Sequence, residues 1–99
     1  MIHVIAVLTA QPGQRAALLA AFHENLPAVR AEEGCIEYNL AVPAAESPAS
    51  FGPDSVVVVE KWASPAALAA HAAAPHMKAF GTRTRDIVAH RAIHVLNEA

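Results

Sequence analysis

The chain has 99 residues, seven basic and nine acidic side chains and a formal net charge of −2, which argues for one domain without an electrostatic footprint for nucleic acid. Hydrophobic residues make up 55% but aromatics only 5%, and no apolar run approaches the roughly 18–20 residues that a membrane helix needs. The single cysteine, Cys35, excludes an intrachain disulfide and fits a reducing cytoplasm.

Residues 2–9 alternate as a strand, with Ile2, Val4, Ala6 and Leu8 on one face and His3, Ile5 and Val7 on the other. Both faces are largely apolar, so a central strand is expected; the absence of a basic leader argues against a signal peptide. After the turn at Gln11-Pro12-Gly13, residues 14–33 read as a helix. Leu18, Leu19, Phe22, Leu26 and Val29 form its apolar stripe, Pro27 predicts a kink or break near residues 23–27, and Gly34 is the expected C-cap.

Residues 35–42 form a second strand, Ile36, Tyr38, Leu40 and Val42 alternating with Cys35, Glu37, Asn39 and Ala41. Four breakers make residues 43–53 a loop. Its lone aromatic, Phe51, either folds back on the core or lines a pocket. Residues 55–62 are a third strand, apolar enough to be buried on both faces. Ser64-Pro65 is a helix start, serine as N-cap and proline at the first helical position. That helix runs to about Ala73; Pro75 starts another over residues 76–89, with Met77, Phe80, Thr84, Ile87 and Val88 inward. Residues 91–96 are the last strand. The order β-α-β-β-α-α-β predicts a ferredoxin-like α+β fold with an antiparallel sheet. The second sheet face is also apolar, which predicts a face-to-face homodimer.

No HExxH, CxxC, GxGxxG or P-loop is present. His71 shares the inward face of its helix with Leu68. It is either a partly buried structural histidine or a base facing an apolar space. His76, at a helix N-terminus, is read first as a cap and second as a donor to substrate. The two histidines are five apart with Pro75 between them and no nearby carboxylate or thiolate, a poor metal pair. Tyr38 and Trp62, on strands expected to pair, carry polar handles that need partners and are either core or pocket lining. Glu60 shares a face with Trp62 and is read as an ion-pair partner at the dimer interface or as an anchor for a cation, the structural role being favoured. Cys35 reads as an inert thiol, and Arg83, Arg85 and Arg91 as a solvated helix face. His3, His23 and His90 lack clustering, and His94 borders the expected cavity at most.

Three segments together carry a resemblance: EEGCIEY (residues 32–38), PDSVVVVEKW (53–62) and ALAAHAAAPHMKAF (67–80). Their combined pattern is E-x-W, a histidine nine residues after the tryptophan, then P-H-M-K. The chain resembles the antibiotic biosynthesis monooxygenase domain family over essentially its whole length, most closely the quinol monooxygenase branch. The resemblance implies that residues 1–99 are a single ferredoxin-like domain pairing into a dimeric α+β barrel, with a pocket between helices and sheet. It implies oxidation of a quinol or polycyclic phenol by molecular oxygen without flavin, haem or metal. In that scheme His71 is the catalytic base and Trp62 and Tyr38 orient the ring. His76, Met77 and Phe80 form the wall, with Phe22 and Phe51 as further wall residues. Relatives of the fold also degrade haem through an Asn, Trp and His set, for which Asn25 and Asn39 are the only plausible asparagines here, or isomerise a phosphorylated autoinducer sugar. The alternatives are therefore that sugar-phosphate isomerase and a non-catalytic dimeric module binding an aromatic metabolite.

Overall fold

In a computed structural model that describes all 99 residues, β1 (Ile2–Ala10) is followed by α1 (Arg15–Arg30), β2 (Cys35–Ala41) and β3 (Ser55–Trp62). Helices α2 (Pro65–Ala73) and α3 (Pro75–Thr84) then precede β4 (Val88–Asn97). The strands form one antiparallel sheet in the order β2-β3-β1-β4. The expected ferredoxin-like α+β architecture is what forms. β1 is interior to the sheet because both its faces are apolar, as its sequence implies. Val4, Ala6 and Leu8 are buried beneath the helices with Val56, Val58 and Trp62 of β3, and Leu18, Phe22 and Val29 of α1 close over them. The opposite face, carrying Ile5, Val7, Val57 and Val59, is only half-covered in the single chain.

Local chemistry accounts for most element boundaries. Ser64 is extended, its hydroxyl oxygen accepts the Ala67 N–H at 3.1 Å, and Pro65 occupies the first turn of α2 where its missing N–H costs nothing. α1 departs from expectation at both landmarks. It continues through Pro27 to Arg30 without a break, because Pro27 lies in the last turn, where one absent N–H removes a single bond. Its C-cap is Ala31, and Gly34 lies three residues further on, in the turn that feeds β2.

Gly34 has φ +83°, and a Cβ there would stand 2.5 Å from the Ala67 Cβ of α2. The bare backbone lets this turn approach α2, and the Gly34 carbonyl accepts the Ala63 N–H at 2.8 Å. Gly34→Ala is expected to cost about 1–2 kcal/mol from the left-handed backbone alone, with overpacking against Ala67 adding to it. A urea unfolding midpoint unchanged from the parent protein would contradict this.

Two further expectations are corrected. A register shift between Cys35 and Glu37 pushes Ile36 out of the β2 alternation, leaving it 51% exposed while Cys35 pairs with Trp62. A bulge reverses side-chain phase, so Cys35, not Ile36, shares the inner face with Tyr38 and Leu40. The last helix stops at Thr84, not at residue 89, because β-branched Ile87 and Val88 are drawn into the sheet: Val88 pairs with Ala10, and the Gln11 N–H donates to the Ile87 carbonyl at 2.7 Å.

Candidate active site

All seven elements contribute to one cavity of about 270 Å³ between the helices and the inner face of the sheet. Sixteen residues line it and eleven are hydrophobic. Phe22 of α1 and Phe80 of α3 form one wall, their ring centroids 4.7 Å apart, and Met77 borders it. The Met77 sulfur also accepts a hydrogen bond from Asn25 at 3.3 Å. The polar lining is sparse: Tyr38, Glu60, His71, Thr84 and Arg91.

His71 is 6% exposed and lies at the C-terminal end of α2. Its Nδ1 is 2.8 Å from Oε2 of Glu32, in the turn after α1. A carboxylate only accepts, so Nδ1 carries the proton and Nε2 is left with its lone pair. The indole of Trp62 lies against the imidazole at a centroid distance of 4.5 Å, and the Tyr38 ring meets it edge-on at 5.7 Å. Trp62 in turn donates its Nε1–H to Oε1 of Glu60 at 2.9 Å. No buried side-chain nitrogen or oxygen lacks a partner. Nε2 of His71, Oε2 of Glu60 and the Tyr38 hydroxyl make no hydrogen bond within the chain, so all three open onto the cavity.

The electrostatics follow from burial. Desolvation, with the charges of Glu60 and Glu32 adding to it, pushes the Tyr38 phenol far above its ordinary value, so it stays a hydrogen-bond donor. Cys35 is raised by burial and the same two carboxylates and remains an unreactive thiol. Burial also raises Glu60, against the opposing pull of the Trp62 hydrogen bond and His71. A carboxyl raised on folding binds its proton more tightly in the folded chain. Its contribution to stability is therefore full below the ordinary carboxylate range and lost as pH rises through the raised value. Glu60→Gln keeps an acceptor for Trp62 and removes that loss. Its melting temperature is expected to exceed that of the parent at about pH 8 and to match it near pH 4; an advantage of equal size at both would contradict this.

Of the residues singled out from sequence, Tyr38, His71, Met77, Phe80 and Phe22 share the cavity. Trp62 is fully buried behind His71 instead of at the cavity surface. Phe51 is 61% exposed on the β2–β3 loop and does not line the cavity, because its breaker-rich segment lies outside the helices and strands that enclose it. His76 does not cap α3. Its Nε2 is 2.8 Å from the same Glu32 oxygen that holds His71, and its ring borders a smaller neighbouring recess. Glu60 faces the helices and not the outer sheet face, which removes the interface reading. Arg91 is on β4 and lines the cavity, not a solvated helix face. Neither Asn25 nor Asn39 reaches the cavity lining.

Glu32 is the residue that sequence reasoning missed. It lies 39 positions from His71, and nothing local marks it. The only signal was its presence in EEGCIEY beside Gly34. The bend at Ala74, extended with ψ 142° before Pro75, aims His71 and His76 at one point despite their spacing.

The antibiotic biosynthesis monooxygenase family model matches residues 1–83, and the chain belongs to this family. It is 40% identical, over 97% of its length and 96% of the relative's, to "Probable quinol monooxygenase YgiN" of Escherichia coli strain K12. Among solved structures, PA3566 from Pseudomonas aeruginosa superposes with a TM-score of 0.84 at 26% identity, covering 99% of this chain and 93% of that one. Rv0793 from Mycobacterium tuberculosis gives 0.83 at 27%, covering 99% and 94%.

Proposed function

We propose that this chain is a quinol monooxygenase that needs no cofactor, acting on a hydroquinone or polycyclic phenol with molecular oxygen. The observation that carries the reading is His71, its Nδ1–H fixed by Glu32 and its Nε2 lone pair open to an apolar cavity. Nε2 removes a phenolic proton from the bound quinol, and the imidazolium that forms is stabilised by the Glu32 carboxylate. The Tyr38 hydroxyl donates to the substrate oxygen, and Trp62, tethered to Glu60, holds the imidazole plane. The quinolate is electron-rich enough to give an electron to oxygen directly. Recombination forms the C–O bond, and loss of water leaves a hydroxyquinone, so quinol plus O2 gives hydroxyquinone plus water. Phe22, Met77 and Phe80 exclude water and grip the ring.

The relative's name supports the quinol assignment. The cavity itself disfavours the sugar-phosphate isomerase, since Arg91 is its only lysine or arginine. No helix is long and apolar enough to cross a membrane. The reading further takes residues 1–99 as a single cytoplasmic domain with no nucleic-acid partner, working as a homodimer. The half-covered face around Ile5, Val7, Val57 and Val59, with Leu96 48% exposed, supports the homodimer. Under anaerobic conditions a hydroquinone is expected to raise the melting temperature; admitting air then yields oxidised product faster than an enzyme-free control. Stabilisation without enzyme-dependent oxidation would instead favour the binding module.

A further inference from the structure

We propose that Glu32, His71 and His76 form a binding site for a borderline divalent transition-metal ion such as Zn²⁺, and that metal binding there silences His71 as a base. His71 Nδ1 and His76 Nε2 each lie 2.8 Å from the same oxygen, Glu32 Oε2, and the three donor atoms fall within 4.8 Å of one another. Two imidazoles and a carboxylate are the donor set of many three-residue zinc sites, with a fourth position left for water. Both ring nitrogens are aimed at one point. An ion bound by both nitrogens at about 2.0–2.1 Å would take the place between them that Oε2 now holds, and Glu32, in a turn and not a helix, can withdraw to bind it. The donors come from three segments, the α1–β2 turn, α2 and α3. The Ala74-Pro75 bend fixes the two histidines relative to each other, and the Gly34 turn packs against α2 beside them.

The consequence for His71 is a change of tautomer. With Glu32 alone, the proton is on Nδ1 and Nε2 accepts. With an ion on Nδ1, the proton moves to Nε2, which becomes a donor to the cavity and can no longer take a phenolic proton. This last step rests on the function proposed above; metal binding does not.

The test is calorimetric titration of chelator-stripped protein with ZnCl2, beside Glu32→Gln and His76→Gln proteins. These two substitutions lie in separate segments and both keep a polar side chain, and circular dichroism checks each fold. One Zn²⁺ per chain is expected, with affinity falling at least about 10-fold in each variant. Nitrogen NMR is expected to show His71 Nε2 becoming protonated on metal addition. No binding, or binding undiminished in both variants, overturns the site. Binding through these residues with quinol turnover unaffected supports the site and overturns the role of His71 as base.

Discussion

His71→Ala is expected to lower quinol turnover by about 10²–10⁴-fold, the usual contribution of a positioned general base, in a protein that keeps the circular dichroism spectrum and solution size of the parent. The size of the loss follows from geometry. Besides Arg91, whose guanidinium only donates, the cavity offers two other groups free to meet a substrate oxygen, the Tyr38 hydroxyl and Glu60 Oε2. The first is held protonated by burial, so it donates and does not accept. The second is raised by burial, so it resists carrying the negative charge that a base must start with. Neither replaces Nε2. The loss should fall on kcat more than on KM, because the aromatic wall that grips the ring is untouched. Glu32→Gln should lose less, since His71 remains but its tautomer and imidazolium are no longer secured. Turnover at the parent rate in folded His71→Ala protein would remove His71 from the chemistry.

Trp62→Ala is expected to destabilise the chain by about 3–5 kcal/mol, a large share of the roughly 5–15 kcal/mol that a domain of this kind has. Trp62 is fully buried and is the largest such side chain. Its loss empties the space behind His71 and leaves Glu60 Oε1 without the indole donor 2.9 Å away. Trp62→Phe separates the two effects: it keeps most of the volume and loses the donor, at an expected cost of about 1–3 kcal/mol. Urea unfolding measures both. A Phe variant as damaged as the Ala variant would mean that the hydrogen bond, not the packing, dominates. An Ala variant within about 1 kcal/mol of the parent would contradict the account of the core.

The strands and helix starts were legible because their signals are local. Alternation in residues 2–9, the apolar run in residues 55–62 and the Ser64-Pro65 start depend on neighbours in sequence, and those elements form as expected, although one face of the third strand is half-buried and not fully covered. What was not legible depends on contacts between distant segments. The Ile36 bulge exists because β2 has to register with β3. The end of α3 is set by the pull of Ile87 and Val88 toward β1, against a helical pattern that continues beyond it. Gly34 reads as a helix cap until α2 is seen against it. Glu32 becomes part of the site only when the α1–β2 turn meets the junction of α2 and α3. The same junction converts two histidines of unpromising spacing into a convergent pair. Arg91 reads as part of a basic helix face when grouped with Arg83 and Arg85, yet strand pairing beside Leu8 places it at the cavity, where it stays exposed. Phe51 was weighed as a wall residue on its aromaticity alone, and a loop rich in proline and glycine does not fold it inward.

The most direct test of the proposed function is oxygen uptake by chelator-treated protein offered a panel of hydroquinones and anthrols, each against an enzyme-free control because hydroquinones autoxidise. The account predicts enzyme-dependent uptake that survives chelation, with one O2 consumed per quinol and one oxygen atom appearing in the product. No uptake above the control across the panel, or uptake that chelation abolishes and a metal restores, would contradict it.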